Sequence, residues 1–381
     1  MKYKIYAMIL CIVMILPLFA IGTAAEFTGE IDAKSAILME ISTGRVLYEK
    51  NADEPLPPAS VTKIMTMLLI TEAIDDGVIS LSDMVTASTR ASKMGGSQIY
   101  LKEGEQISVD DLLKSLTVAS ANDAAVALAE HLCGSEEAFV AKMNERAKEL
   151  GMTNTNFENT NGLDDTTVNH VTSARDIAIM SRELLKHDLI YNYTMIWMDT
   201  VRDGAFGLTN TNRLIRFYKG ATGLKTGSTS KAKFCISASA ERDGLGLVAV
   251  IMASPTRDVR NAAAASLLDY GFANYAFLQK ESEAQGDIPV KGGVKKTLST
   301  VSESFGEVIK KGDDKKLETE MVLPESIAAP VKKGDKVGEI IYKIDGSEIG
   351  RAAITADEDI EKISFLTLLP RMFKMLIGAK S

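Results

Sequence analysis

Hydrophobic positions fall along the chain in three textures. The first is an almost unbroken apolar run from Ile5 to Ile21, behind Lys2 and Lys4 and ahead of Gly22-Thr23-Ala24-Ala25. A basic flank, a short apolar stretch and small residues suit a secretory signal, so cleavage is expected near Ala24 or Ala25. The second texture mixes periods of two and 3.6. Ser35 to Glu40 and Arg45 to Glu49, either side of Ser42-Thr43-Gly44, read as a β-hairpin. Behind Pro57-Pro58, Val61, Ile64, Met65 and Leu68 recur at helical offsets, which predicts a helix to about Ile74, before Asp75-Asp76-Gly77. Ser60 then falls in the first helical turn and Lys63 one turn on, on the same face. Ser108-Val109-Asp110-Asp111 and Ser173-Ala174-Arg175-Asp176 have the capping pattern that opens a helix. The first of these stops near Val118 and a second starts around Asp123, leaving Ser120-Ala121-Asn122 on a tight connection. Phe139 to Leu150 is a further helix, and 152–169 is loop. Gly223 to Ser228 precedes two strand-like runs, Phe234 to Ala238 and Leu247 to Met252, and an Ala-rich helix follows from about Val259 to Phe277.

From Glu281 the third texture begins. Short strand-like runs near 295–300, 305–310, 317–322 and 337–344 are separated by Gly-rich turns, which reads as a small all-β domain. The tail from Ile360 to Ile377 is amphipathic, with Phe365, Leu366, Leu369, Met372, Phe373 and Leu376 opposite Lys362, Arg371 and Lys374. Pro370 and the cations make it a poor span, and an interfacial helix fits better. The expected organisation is a signal at 1–25, an α+β domain at 26–280 with one sheet drawn from distant segments, a β-domain at 281–357 and a docking helix at 358–381.

Composition is that of a folded protein, with 46% hydrophobic and 25% charged residues. Without Lys2 and Lys4, 41 basic residues face 51 acidic ones, a net charge of −10. No basic stripe interleaved with aromatics appears, which argues against nucleic acid. Cys133 and Cys235 remain after cleavage and read as two buried thiols rather than a disulfide framework. His131, His170 and His187 lack metal-ligand spacing, so a zinc peptidase is disfavoured and no cofactor is expected; His170 reads as structural.

The chemistry lies in three short segments. Ser60-Val61-Thr62-Lys63 puts a hydroxyl and an amine one turn apart at a helix start, where free backbone N–H groups favour negative charge. Alone it is weak, since Ser228/Lys231 and Ser230/Lys233 also match. Ser120-Ala121-Asn122 and Lys225-Thr226-Gly227 each occur once in their pattern. The ordered set S-x-x-K, S-x-N, K-T-G is the signature of serine β-lactamases and penicillin-binding proteins.

On these motifs, the β-domain and the tail, the chain resembles the low-molecular-mass penicillin-binding proteins, the serine-type D-Ala-D-Ala carboxypeptidases. Met94 to Gln98 and Asn210 to Ile215 look nearest the DacF-type branch. The resemblance implies a β-lactamase/transpeptidase-like fold, an antiparallel sheet with a helical cluster. It implies Ser60 as nucleophile, Lys63 as base and Ser120 as proton relay. Asn122, Lys225, Thr226, Gly227 and Ser228 would bind substrate, with Arg213 as a further carboxylate candidate. Ser228 stands where the family usually has a larger residue. Implied partners are peptidoglycan stem peptides, β-lactams and the membrane surface, at the outer face of the cytoplasmic membrane. The rival readings are a β-lactamase, whose deacylating Glu pattern is lacking at Glu158-Asn159-Thr160-Asn161, and a non-catalytic wall-binding protein.

Overall fold

The structure, a computed structural model, describes residues 27–365 and 369. The expected signal and most of the tail lie outside the described residues; Phe365 and Leu369 are helical and exposed. No helix among the described residues is long and apolar enough to cross a membrane.

Strands β1 (Ser35–Glu40), β2 (Val46–Lys50), β3 (Ala221–Thr229), β4 (Lys233–Arg242) and β5 (Leu245–Ser254) form one antiparallel sheet, ordered β2-β1-β5-β4-β3. The apolar runs of β1 and β5 are continuous because both faces are covered. Ile37, Met39, Val248 and Val250 face one core with the helical cluster, while Ala36, Leu38, Ala249 and Ile251 face the other. The helices that matter for the site are α1 (Lys63–Asp75), α2 (Val109–Val118), α3 (Asn122–Cys133), α4 (Ala174–Leu184) and α5 (Arg257–Asn274). Their starts follow the sequence. The Ser108 hydroxyl accepts from Asp111 N–H at 3.1 Å, and the Ser173 hydroxyl accepts from Asp176 N–H at 3.1 Å.

Four local expectations change. The Ser60 helix opens as a 3-10 turn, Ala59–Thr62, and becomes α-helical only at Lys63. α1 is buried all round from Lys63 to Thr71, well beyond the Val61, Ile64, Met65 and Leu68 positions that marked the helix, as suits a helix at the centre of a cluster. The Lys-Thr-Gly segment lies within β3, pairing Lys225 with Ser237, instead of ahead of the hairpin. α5 ends at Asn274, and the next six residues, Tyr275–Lys280, form a strand paired with Phe305–Lys310 across the expected boundary at 280. Cys133 and Cys235 are both free; Cys235 is buried and Cys133 only half so.

The remainder, 284–356, is a six-stranded sheet in which one short pair is parallel and the rest antiparallel. Its core is small, built on Leu278, Phe305, Tyr342 and Ile354.

One buried contact ties α4 to the strand beside Lys225. The hydroxyls of Ser181 and Ser237 lie 2.8 Å apart, both fully buried. Replacing either by Ala strands the other hydroxyl, which is expected to cost about 1–3 kcal/mol. The double Ala variant is expected to lose less than the sum of the singles, which denaturant unfolding of the three variants checks.

Candidate active site

Two backbone features set the floor of the site. Pro58, expected to be extended, is already in the right-handed helical region at φ −85° and ψ −14°, and Ala59 then turns at φ +49°, a left-handed conformation rare for a residue with a Cβ. That kink lifts Ser60 onto the 3-10 turn facing β3. Ser120 turns at φ +61° between α2 and α3, two residues ahead of Asn122, which opens α3.

Lys63 is fully buried, and its amine meets three oxygens. Nζ lies 3.1 Å from Ser60 Oγ, 2.5 Å from Asn122 Oδ1 and 2.9 Å from the Asn161 carbonyl. The Asn122 amide is oriented by its Nδ2, which donates to the Gly95 carbonyl at 2.7 Å, so Oδ1 faces the lysine. Two of the three partners accept only. In a neutral amine these two would take both N–H groups and leave the lone pair for the Ser60 hydroxyl. Burial pushes Lys63 well below the ordinary lysine value, and the neighbouring Lys225 charge pushes the same way; Asp123 opposes them. Asp123 does not touch the amine. Its carboxylate accepts from Ile99, Leu101 and Ala124 N–H and so pins the 95–101 loop.

Lys225 is 1% exposed, donates to the Thr226 carbonyl at 2.9 Å, and is pushed down to about 7 by burial, with the Arg260 charge adding to it. Arg260, 3% exposed, is brought down to about 10 by burial and by Arg257. Its guanidinium is held by the Cys235 carbonyl and Asn261 Oδ1, both neutral. Two buried basic groups thus share one place, with no salt bridge to a carboxylate among the described residues.

Gly227 lets the strand close on the turn. A Cβ there would stand 2.7 Å from Ser60 N and 2.9 Å from the Pro58 carbonyl, so only glycine brings β3 this near. The Thr226 hydroxyl is set by a 2.8 Å bond to Thr211. Ser60, Ser120, Thr226, Gly227 and Ser228 line a cleft of about 620 Å³ with Arg260 at one side. All eight residues singled out in the sequence converge here: Ser60, Lys63, Ser120, Asn122 and Lys225 to Ser228. Arg213 lines the mouth, exposed. The sequence reasoning missed Arg260, Asp123, Asn161 and the aromatic wall of Trp197 and Phe217. Asp123 adjoins the second motif and was within reach; nothing in spacing marks Arg260.

Known proteins give the same picture. Residues 21–256 match the D-alanyl-D-alanine carboxypeptidase family, peptidase family S11, and residues 272–362 match the C-terminal domain of penicillin-binding protein 5. The D-alanyl-D-alanine carboxypeptidase DacF of Bacillus subtilis is 46% identical over 347 residues, covering 89% of each chain. Among solved structures, penicillin-binding protein 5 of Haemophilus influenzae superposes with a TM-score of 0.76 at 31% identity, covering 88% of this chain and 99% of that one. Penicillin-binding protein D2 of Listeria monocytogenes, in its ampicillin-bound form, gives 0.59 at 32% identity, covering 64% of this chain and 98% of that one. The chain therefore belongs to the D-alanyl-D-alanine carboxypeptidase family.

Proposed function

We propose that Ser60 is the nucleophile of this carboxypeptidase and that neutral Lys63 is its base. The observation that carries the reading is the amine of Lys63, buried, unpaired with any carboxylate and 3.1 Å from the Ser60 hydroxyl. The substrate is a peptidoglycan stem peptide ending in D-Ala-D-Ala. Lys63 takes the Ser60 proton as the oxygen attacks the carbonyl carbon of the penultimate residue. The Ser60 and Ser228 N–H groups receive the oxyanion. The C–N bond breaks as the proton taken up by Lys63 passes through the Ser120 hydroxyl to the departing amine, which returns Lys63 to its neutral form, and an ester on Ser60 remains for water to cleave. Asn122 holds the peptide amide. Lys225, Thr226 and Arg260 bind the terminal carboxylate, the anion that this pair of buried cations lacks.

The family's D2 protein from Listeria holds ampicillin, and we extend β-lactam sensitivity to this chain. Slow release of the drug, rather than β-lactamase turnover, is supported by the loop carboxylates. Glu158 accepts from Val168 and Asn169 N–H, and Asp164 takes the Thr229 hydroxyl, so both are committed to their own neighbourhood. D-Ala release from diacetyl-Lys-D-Ala-D-Ala and labelling by a fluorescent penicillin are both expected of the wild type. Ser60→Ala is expected to abolish both, and persistent labelling of that variant would refute the assignment.

The two amines also give a pH signature. Acylation needs Lys63 neutral, so its rate rises with pH through the Lys63 value. The Lys225 charge lowers that value, so removing it raises Lys63. Lys225→Met is expected to move the acid limb of the acylation profile to higher pH, beside any loss in overall rate. An unmoved limb would show that the two amines are not coupled.

Export and docking on the outer membrane face extend the reading, with 26–280 as the peptidase domain, 281–357 as the β-domain and 358–381 as the anchor. The exposed Phe365 and Leu369, 72% and 52% accessible, support an apolar face turned outward. The mature chain is expected to sediment with phosphatidylglycerol vesicles, and Phe365→Asp with Leu369→Asp to leave it in the supernatant. Equal sedimentation of both proteins would remove the tail from the account.

A further inference from the structure

His170 is not among the residues lining the cleft, yet its ring is tied to the nucleophile turn by defined hydrogen bonds. Its Nδ1 accepts from Glu158 N–H at 2.9 Å, and its Nε2 lies 2.7 Å from Thr62 Oγ1. Thr62 Oγ1 in turn donates to the Ala59 carbonyl at 2.9 Å. A backbone N–H can only donate, so Nδ1 carries no proton and the single proton of the neutral ring is on Nε2. That proton goes to Thr62, and the Thr62 proton goes to Ala59. Each group in the series therefore has one assignment, running from Glu158 N–H through His170 and Thr62 to the Ala59 oxygen.

The end point matters because the Ala59 carbonyl and the Ser60 N–H belong to one planar peptide unit. Fixing where the oxygen points fixes where the N–H points, on the opposite side of the same plane. Ala59 needs such a restraint, since its φ of +49° is disfavoured for a residue with a Cβ. The oxygen is confined from a second direction. A Cβ on Gly162 would fall 1.8 Å from it and 2.8 Å from Thr62 Oγ1, so the 158–170 loop packs directly on this peptide.

We propose that His170 is a positioning residue for acylation, which aims the Ser60 N–H and seats the nucleophile turn by way of the Thr62 hydroxyl. This rests on Ser60 being the acylated residue. The ring keeps its assignment at working pH, because burial pushes His170 down to about 4 against the opposing charges of Glu158 and Asp164. It is a fixed strut rather than a proton carrier. Thr62, fully buried, is the only hydroxyl between it and Ala59 in this series.

The test is the acylation rate constant and the non-covalent binding constant for a fluorescent penicillin, measured with the full mature chain. His170→Asn keeps an acceptor near Glu158 N–H but is too short to reach Thr62. Thr62→Val keeps the shape and removes the hydroxyl, and Thr62→Ser keeps the hydroxyl. A misaimed donor is expected to slow acylation about 10- to 100-fold in His170→Asn and Thr62→Val, with initial binding unchanged. The double variant should be no slower than the slower single, and Thr62→Ser should stay within about threefold of wild type. Labelling of every variant to the same end point shows that the site is folded. Single variants acylating at the wild-type rate, losses that appear in binding alone, or losses that multiply in the double variant would each overturn the proposal. A wild type that is not labelled would instead sink the Ser60 reading on which it stands.

Discussion

A lysine amine sealed from water, with no carboxylate paired to it among the described residues and a second basic group nearby, is the constraint on which this site depends. An isolated ammonium in such a place costs several kcal/mol, and the cheaper course is to give up the proton. Everything touching Lys63 is consistent with that outcome. Its partners are a hydroxyl, a side-chain amide oxygen and a backbone carbonyl, none of them charged. The one acid at hand, Asp123, follows Asn122 on α3, and successive helical residues point about 100° apart. Asn122 therefore reaches the amine while Asp123 turns to the N–H groups of Ile99 and Leu101. Were the two exchanged, a carboxylate against Nζ would hold it as an ammonium, with no lone pair for the serine.

Keeping that amine dry requires three parts of the chain to touch without side chains between them. β3 approaches the turn at Gly227, and the 158–170 loop approaches it at Gly162, in each case backbone against backbone. Ala59 and Ser120 hold left-handed conformations that cost of order 1 kcal/mol each. The cost is carried by the surroundings. α1 is buried on every side over its first turns, and β5 is buried along nearly its whole length. A rigid, strained constellation is thus held by a large, ordinary core.

Much of this was legible in the sequence, unevenly and for physical reasons. Helices opened by Ser108 and Ser173 start where their capping residues stand, because a cap is a local hydrogen bond. The eight motif residues meet as their order implies. The 3-10 start at Ala59 was not legible, since helical periodicity is the same for both helix types over a single turn. β3 was missed because Gly223, Lys225 and Gly227, of types depleted in strands, interrupt its Thr and Leu; pairing with Lys233 to Ala240 makes it a strand. The hairpin Met198–Val201 with Phe206–Thr209, which sets the Trp197 side of the cleft, gave no alternation long enough to read. Arg260 stands in the first turns of an Ala-rich helix whose buried face packs on the sheet, and only the fold shows that this end of the helix reaches one side of a cleft.

Position in the sheet explains why β3 carries so much of the site. It is an edge strand, paired with β4 on one side only. An open edge is normally a liability, since its free backbone groups invite other chains. Here the invitation has a limit, because the Ser60 turn closes on the strand at Gly227 and leaves a groove rather than a bare edge. An extended peptide can lie along such a groove and meet backbone donors, the Thr226 hydroxyl and the buried cations in order. The second unit takes no part in this. Among the described residues the cleft is lined by positions between Ser60 and Arg260, while 275–365 touches the first unit through contacts such as Arg45 to the Val308 carbonyl and Lys311 to the Phe272 carbonyl. The two units share part of one core, since Tyr275 and Val308 pack with Leu38 and Leu267, but the residues that line the groove all come from the first.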